Sequence, residues 1–229
     1  MFSILQFPDP ETADPDGLLA FGGNLEVNTL LAAYSQGIFP WYGESSPILW
    51  WSPDPRLVLF PENYKASKSL LQTLKKNFFE IRFDENFEQV IFHCAHVKRK
   101  GQSGTWITPE MQEAYIKLHE AGYAHSAETY CNSKLVGGLY GVSIGAVFFG
   151  ESMFHLMRDA SKVAFHYLMN RLYQWKFKLI DAQQSTKHLK SLGASEISRK
   201  EFLHYLKRAL KEKSRTGKWN QPDSIADDP

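Results

Sequence analysis

The string KLIDAQQ, residues 178–184, places a carboxylate and an amide two residues apart in a run that reads as a strand. Alternate side chains of a strand share a face, so Asp181 and Gln183 point one way and Ile180 and Ala182 the other. A carboxylate with an amide can hold and orient an amine; a strand end bonded to a neighbouring loop would use the same residues. A second string, FFGESMF, sets Glu151 after Gly150 inside an otherwise apolar run. A carboxylate buried there needs a partner or a shifted pKa, unless a bulge turns it out to water.

Other stretches carry weaker chemistry. In GQSGTWIT two glycines precede Trp106, which either lines a pocket or plugs the core. Lys65, Lys68, Lys75 and Lys76 fall on one helical face, and Lys98, Arg99 and Lys100 form a second basic cluster. Both fit phosphate contact, and both fit plain solvated surface. HCAH, residues 93–96, has the spacing of a metal half-site without a second half, so no metal is expected. Phosphate-cradling signatures are absent: no GxxxxGK followed by Ser or Thr, and no GxGxxG opening a helix. No nucleotide cofactor is therefore expected.

The residues 37–56, GIFPWYGESSPILWWSPDPR, hold three of the six tryptophans and four prolines. Prolines this dense forbid a long helix and disfavour a central strand. The aromatic rings therefore sit on loop.

These residues must be positioned by a chain of 229 residues, long enough for a real core. It is 43% hydrophobic and 22% charged with a formal net charge of +1, so any nucleic-acid contact is a local patch. No apolar stretch approaches the length of a membrane span. Two cysteines make no disulfide framework, and the N-terminus lacks the flanks of a signal peptide, which together favour a reduced, cytoplasmic protein.

Residues 1–60 are broken by turns around one short helix, TLLAAYSQ, with Asn28 as its expected cap and Gly37 as its stop. They read as a small N-terminal domain. From residue 61 the pattern is regular: helix near 67–77, strand near 79–83, helix near 85–98. A helix opened by Thr108 and Pro109 follows, with Met111, Ala114, Tyr115 and Leu118 as its buried stripe. Three strands come next, HSAETYC, KLVGGLYGVS and AVFFGESMF, then a long helix near 160–175, the strand FKLIDAQ and a short helix, STKHLKSLG. Ser198 with Glu201 predicts a capping box for the last helix. The class is α+β with a mostly antiparallel sheet over 61–212, in an order shared with acetyltransferase-like folds. Residues 213–229 are polar and expected to be disordered.

Taken in order, GLLAFGGNL, LLAAYSQGIFPW, ILWWSPDPR, GTWIT, AYIKLHEAGYAHSAE, LVGGLYGV, FFGESMF, ASK and LIDAQ resemble the leucyl/phenylalanyl-tRNA–protein transferases of bacteria. The resemblance spans roughly residues 16–207. It implies a monomer that moves Leu or Phe, with Met as a further candidate, from aminoacyl-tRNA to proteins beginning with Arg or Lys. The products are marked for degradation by the N-end rule. By motif position it implies Asp181, Gln183 and Glu151 as catalytic residues. It implies Tyr34, Trp41, Trp106, Leu139, Phe148, Leu168 and Ile180 as the pocket, and Lys68, Lys75 and Lys76 as tRNA contacts. Leu stands at 139 and 168 where the family often has Met and Phe, and Gln72 stands where a basic residue is usual.

Two other functions fit parts of the pattern. An acetyl-CoA-dependent N-acetyltransferase shares the fold order, but the stretch before the long helix, MRDASK, lacks the glycine-bearing turn that binds pyrophosphate. A non-catalytic tRNA- or peptide-binding module would not need Asp181 and Gln183 together.

Overall fold

The computed structural model describes residues 6–97 and 105–220. The basic cluster at 98–100 and the residues GQSG at 101–104 lie outside them. The N-terminal part builds a small sheet. Strand β1 (Leu18–Phe21) is followed by helix α1 (Val27–Ser35), then strands β2 (Phe39–Pro40) and β3 (Leu49–Trp51), in spatial order β1–β3–β2. Pro40 is tolerated because β2 is an edge strand. The cap of α1 is not Asn28. Asn24 Oδ1 accepts from Glu26 N–H (3.1 Å) and Thr29 Oγ1–H (2.7 Å), an Asx turn that organises the entry four residues earlier.

The next strand, β4 (Arg56–Leu59), already belongs to the large sheet. The two sheets therefore part between Trp51 and Arg56, a few residues before the expected boundary at 60. Helix α2 (Lys68–Lys75), strand β5 (Glu80–Phe83), helices α3 (Phe87–His96) and α4 (Pro109–Glu120), and strands β6 (Ala124–Cys131), β7 (Lys134–Ile144) and β8 (Val147–His155) follow. Then come α5 (Ala160–Gln174), β9 (Leu179–Gln183), α6 (Lys187–Ser191), β10 (Ser195–Ile197) and α7 (Arg199–Ala209). The large sheet runs β10–β4–β9–β8–β7–β6–β5. Every pairing is antiparallel except β8 with β9, which α5 connects. The expected class, α+β with a mostly antiparallel sheet, is the one found.

Caps explain most helix starts. Ser67, Thr108 and Ser198 each accept the N–H three residues on, and Ser198 with Glu201 completes the expected box. Strand alternation divides the core. Leu57, Leu59, Leu139, Phe148 and Ile180 pack with Phe165, Leu168 and Leu172 of α5 on one face. Val58, Tyr140, Phe149 and Leu179 pack with α1, α3, α4 and α7 on the other.

The tail departs from expectation. Trp219 is 4% exposed and stacks on His125 at 3.8 Å. Its N–H donates to Asp84 Oδ2 (2.8 Å), and its carbonyl accepts from Arg171 Nη1 (2.6 Å). One indole with two backbone bonds is enough to order a segment that otherwise reads as polar linker; residues 221–229 lie outside the described residues.

Candidate active site

Strands β8 and β9 pair only through Val147–Leu179, Phe148–Ile180 and Phe149–Asp181. Beyond that point they separate. Both strands are bulged at the parting. On β8, Tyr140 of β7 faces Ser152 and Gly141 faces Gly150, so Glu151 has no residue opposite. On β9, Val58 faces Asp181 and Leu57 faces Gln183, so Ala182 has none. Gly141 is needed here: a Cβ would collide with the Phe149 carbonyl and with the Phe148 ring, at 2.5 Å from Cζ.

The opening holds a cavity of about 690 Å³, within the usual range for small-molecule sites. Its apolar walls include Leu59, Leu139, Phe148, Phe165, Ile180 and Leu189. Phe39, Pro40, Trp41 and Trp106 form an aromatic side, and Glu151, Asp181 and Gln183 a polar one. Trp41 is held although it lies on loop. Its carbonyl accepts from Trp51 Nε1 (2.6 Å), and its ring meets that of Trp51 edge-on at 5.5 Å. The adjacent Tyr42 hydroxyl donates to Glu110 Oε2 on α4 (3.1 Å). Trp50, by contrast, is core at 1% exposure.

The Glu151 bulge turns inward. Its Oε1 accepts from Tyr34 Oη–H (2.7 Å) and Gln183 Nε2–H (2.8 Å), and its Oε2 from Tyr115 Oη–H (3.2 Å). The two tyrosine hydroxyls also lie within bonding distance of each other; each carries one hydrogen, so with Glu151 ionised two of these three O–H bonds form at a time. Burial is the largest influence on Glu151; the three donors and the nearby Asp181 charge act less, and its pKa is pushed up to about 7. Burial, reinforced by the Glu151 charge, raises both tyrosines well above their ordinary value, so they remain donors at neutral pH.

Asp181 is held differently. Its Oδ1 accepts from Arg56 Nε (2.9 Å) and its Oδ2 from Arg56 Nη2 (2.6 Å), a bidentate pair with both side chains at most 1% exposed. Oδ1 also accepts the backbone N–H of Gln183 (2.8 Å). Gln183 has a left-handed φ of 60°, a conformation that costs a non-glycine residue about 1–2 kcal/mol. It therefore leaves the strand alternation. Asp181 meets it through the main chain, rather than side by side on one face. Because Gln183 Nε2 is committed to Glu151, its carbonyl oxygen is left to accept from a ligand.

The cavity thus brings together Asp181, Gln183, Glu151, Trp41, Trp106, Leu139, Phe148 and Ile180. It does not include Tyr34 or Leu168 on its wall. Tyr34 is fully buried behind Glu151, because its hydroxyl spends itself on that carboxylate. Leu168 lies in the α5 layer beneath Leu139, Phe148 and Ile180, at 2% exposure. Lys68, Lys75 and Lys76 are exposed on and just after α2. His93 and His96 stack on Phe154 and Phe92. Arg56 and Tyr115 were not singled out for the site. An arginine at the head of the apolar run RLVLF was the available signal for the first, whereas the helical stripe that correctly buried Tyr115 hid the use of its hydroxyl.

At the start of α5, Asp159 bonds Lys162 Nζ (2.8 Å) and accepts from Thr73 Oγ1 (3.2 Å). The Lys162 bond, foremost, holds its carboxyl below the usual range. A carboxylate there opposes an anionic ligand at a helix start that would otherwise suit one. Among the described residues no helix is long and apolar enough to cross a membrane.

A family model described as leucyl/phenylalanyl-tRNA protein transferase matches residues 58–207, and one for that family's N-terminal domain matches residues 23–54. A leucyl/phenylalanyl-tRNA–protein transferase of Myxococcus xanthus (strain DK1622) is 54% identical over 94% of this chain and 92% of its own. One from Legionella pneumophila (strain Corby) is 56% identical over 93% and 96%. Among solved structures, a GCN5-related N-acetyltransferase from Kribbella flavida aligns over 72% of this chain and 58% of its own, with a TM-score of 0.39 and 9% identity, too remote to argue from.

Proposed function

The chain belongs to the leucyl/phenylalanyl-tRNA–protein transferase family, and from that premise we propose how its cavity transfers Leu or Phe from aminoacyl-tRNA to the α-amine of a protein that begins with Arg or Lys. The observation that carries the reading is one cavity with an apolar wall, an indole pair and an amide whose oxygen is free to accept. The aminoacyl side chain packs against Leu139, Phe148 and Ile180, a contact of roughly 1.5–3 kcal/mol for a Leu- or Phe-sized group. The terminal adenine stacks on Trp41 or Trp106, at about 1–3 kcal/mol per base. Leu at 139 keeps this wall apolar.

The donor is already an activated ester, so no ATP is consumed. The neutral acceptor amine forms a C–N bond to the ester carbonyl, and the C–O bond to the ribose breaks. An α-amine titrates near 7.7–8.0, so orientation matters more than a strong base. Gln183 Oε1 accepts an N–H of the incoming amine. Glu151 fixes that amide from one side, and Asp181 fixes its backbone from the other. The neighbouring ribose hydroxyl carries the amine's proton to the leaving oxygen.

Glu151 is the carboxylate available to a cationic acceptor, because Asp181 is spent on Arg56. Lys68, Lys75 and Lys76 bind the tRNA backbone. The small sheet through residue 51 serves as one wall and the large sheet as the catalytic body. The site of action is the cytoplasm, and the modified proteins enter N-end rule degradation.

The test is to incubate the protein with labelled Phe-tRNA, labelled acetyl-CoA and a peptide starting with Arg. The Phe label moves to the peptide. Transfer of acetyl, or of neither label, would overturn the reading.

A further inference from the structure

We propose that Arg56 is a positioning residue for this transfer, acting through Asp181 on Gln183; the role of the pair in catalysis rests on the function proposed above. The geometry forms one chain. Arg56 grips both oxygens of Asp181. Asp181 holds the N–H of Gln183, and Gln183 places its Nε2 on Glu151. The Gln183 backbone is in a conformation that a side-chain-bearing residue adopts only when its surroundings impose it. The bond from its N–H to Asp181 imposes it, and that bond is only as fixed as the carboxylate.

The guanidinium is itself tightly held. It lies 4.8 Å from the centroid of Phe39 and 4.5 Å from that of Phe202. Phe39 lines the cavity, and Phe202 is on α7. Arg56 therefore locks the small sheet's aromatic wall and the acid–amide end of β9 to one rigid group. A buried ion pair adds little stability over an apolar pair of similar volume. Its planar fork does fix orientation, which a lysine cannot reproduce. Arg56 Nη1 is buried with no hydrogen-bond partner among the described residues, so this arginine is not placed to satisfy its own donors. The two donors it does use both serve Asp181.

The test is a cycle of Arg56→Gln, Asp181→Asn and the double variant, with Arg56→Lys beside it. For each, kcat and KM for Phe-tRNA are measured, together with thermal melting and hydrogen exchange of the Gln183 amide. Removing the cation alone leaves an unpaired buried carboxylate and threatens folding; the double variant is neutral and keeps the test alive. Each single change lowers kcat by at least about tenfold with KM within roughly threefold, and the double loses no more than the worse single. Arg56→Lys restores melting more than kcat. Gln183 amide protection falls in Arg56→Gln.

Multiplicative losses in the cycle, kcat losses that track the folded fraction, or undiminished protection of the Gln183 amide would overturn this role. If the wild-type protein transfers no Phe at all, the proposed function fails, and exchange at Gln183 still decides whether Arg56 holds the strand end.

Discussion

The bulge of β8 and the end of β9 each carry a carboxylate to the same cavity, and the two regions neutralise it by opposite means. Asp181 faces a buried guanidinium that takes both its oxygens. Glu151 faces only neutral donors, two phenols and an amide. Hydrogen bonds favour the charged form, but with no cation beside it burial outweighs them, and its pKa is pushed up to about 7. The difference separates the tasks proposed for them: Asp181 as a fixed part of the frame, Glu151 as the carboxyl that changes charge near neutrality and answers a cationic or protonated substrate. The sign follows for stability. A carboxyl raised from 4.5 to about 7 holds its proton in the folded state, so its contribution is full below 4.5 and is lost as pH rises through 7.

Three substitutions sharpen or break that contrast. Asp181→Asn is the most damaging. The amide turns a donor toward Arg56, and turnover falls by roughly 10²-fold at every pH tested, with tRNA binding nearly intact. Wild-type-like turnover would remove Asp181 from the frame. Glu151→Gln is intermediate. Its oxygen still accepts from Tyr34 and Gln183, and its NH2 can donate to Tyr115, so the geometry survives while the titration goes. Turnover at pH 8 falls by about tenfold. The acid limb of the rate profile, which in the wild type combines Glu151 with the acceptor amine, reduces to the amine's single ionisation. Thermal stability loses its decline between pH 4.5 and about 7. An unchanged profile would mean that Glu151 does not titrate in this range. Tyr115→Phe is the mildest. The long bond to Glu151 and the contact with the Tyr34 hydroxyl are lost, which moves the limb to higher pH and lowers turnover by roughly two- to tenfold. A limb that moves to lower pH would show that Tyr115 does not stabilise the charged form.

Much of the fold was legible because it rests on local rules. The Thr108–Pro109 start, the Ser198–Glu201 box and the three central strands all came through as read. The small sheet and β10 did not, because strands of two to four residues carry almost no periodicity. At the site, residue identity pointed to Glu151, Asp181 and Gln183. Identity could not show that Glu151's bulge turns inward, since both directions use the same sequence. Nor could it show that Gln183 leaves the strand alternation at a positive φ, or that Asp181's partner lies 125 residues earlier. Those are tertiary facts. The cavity's lining leaves Tyr34 and Leu168 one layer behind it for a similar reason: adjacency to a pocket does not say which layer faces it.

The anchoring of Trp219 has a consequence for folding. Asp84, which binds its backbone, lies 135 residues earlier, and His125, Trp175 and Phe148 also meet its ring. Closing loops this long is costly in entropy, so these contacts slow folding as a whole. Phe148 stands between the indole and the cavity. The cavity wall is thus backed from the far end of the described chain, and a protein truncated before residue 219 should melt at lower temperature and lose activity.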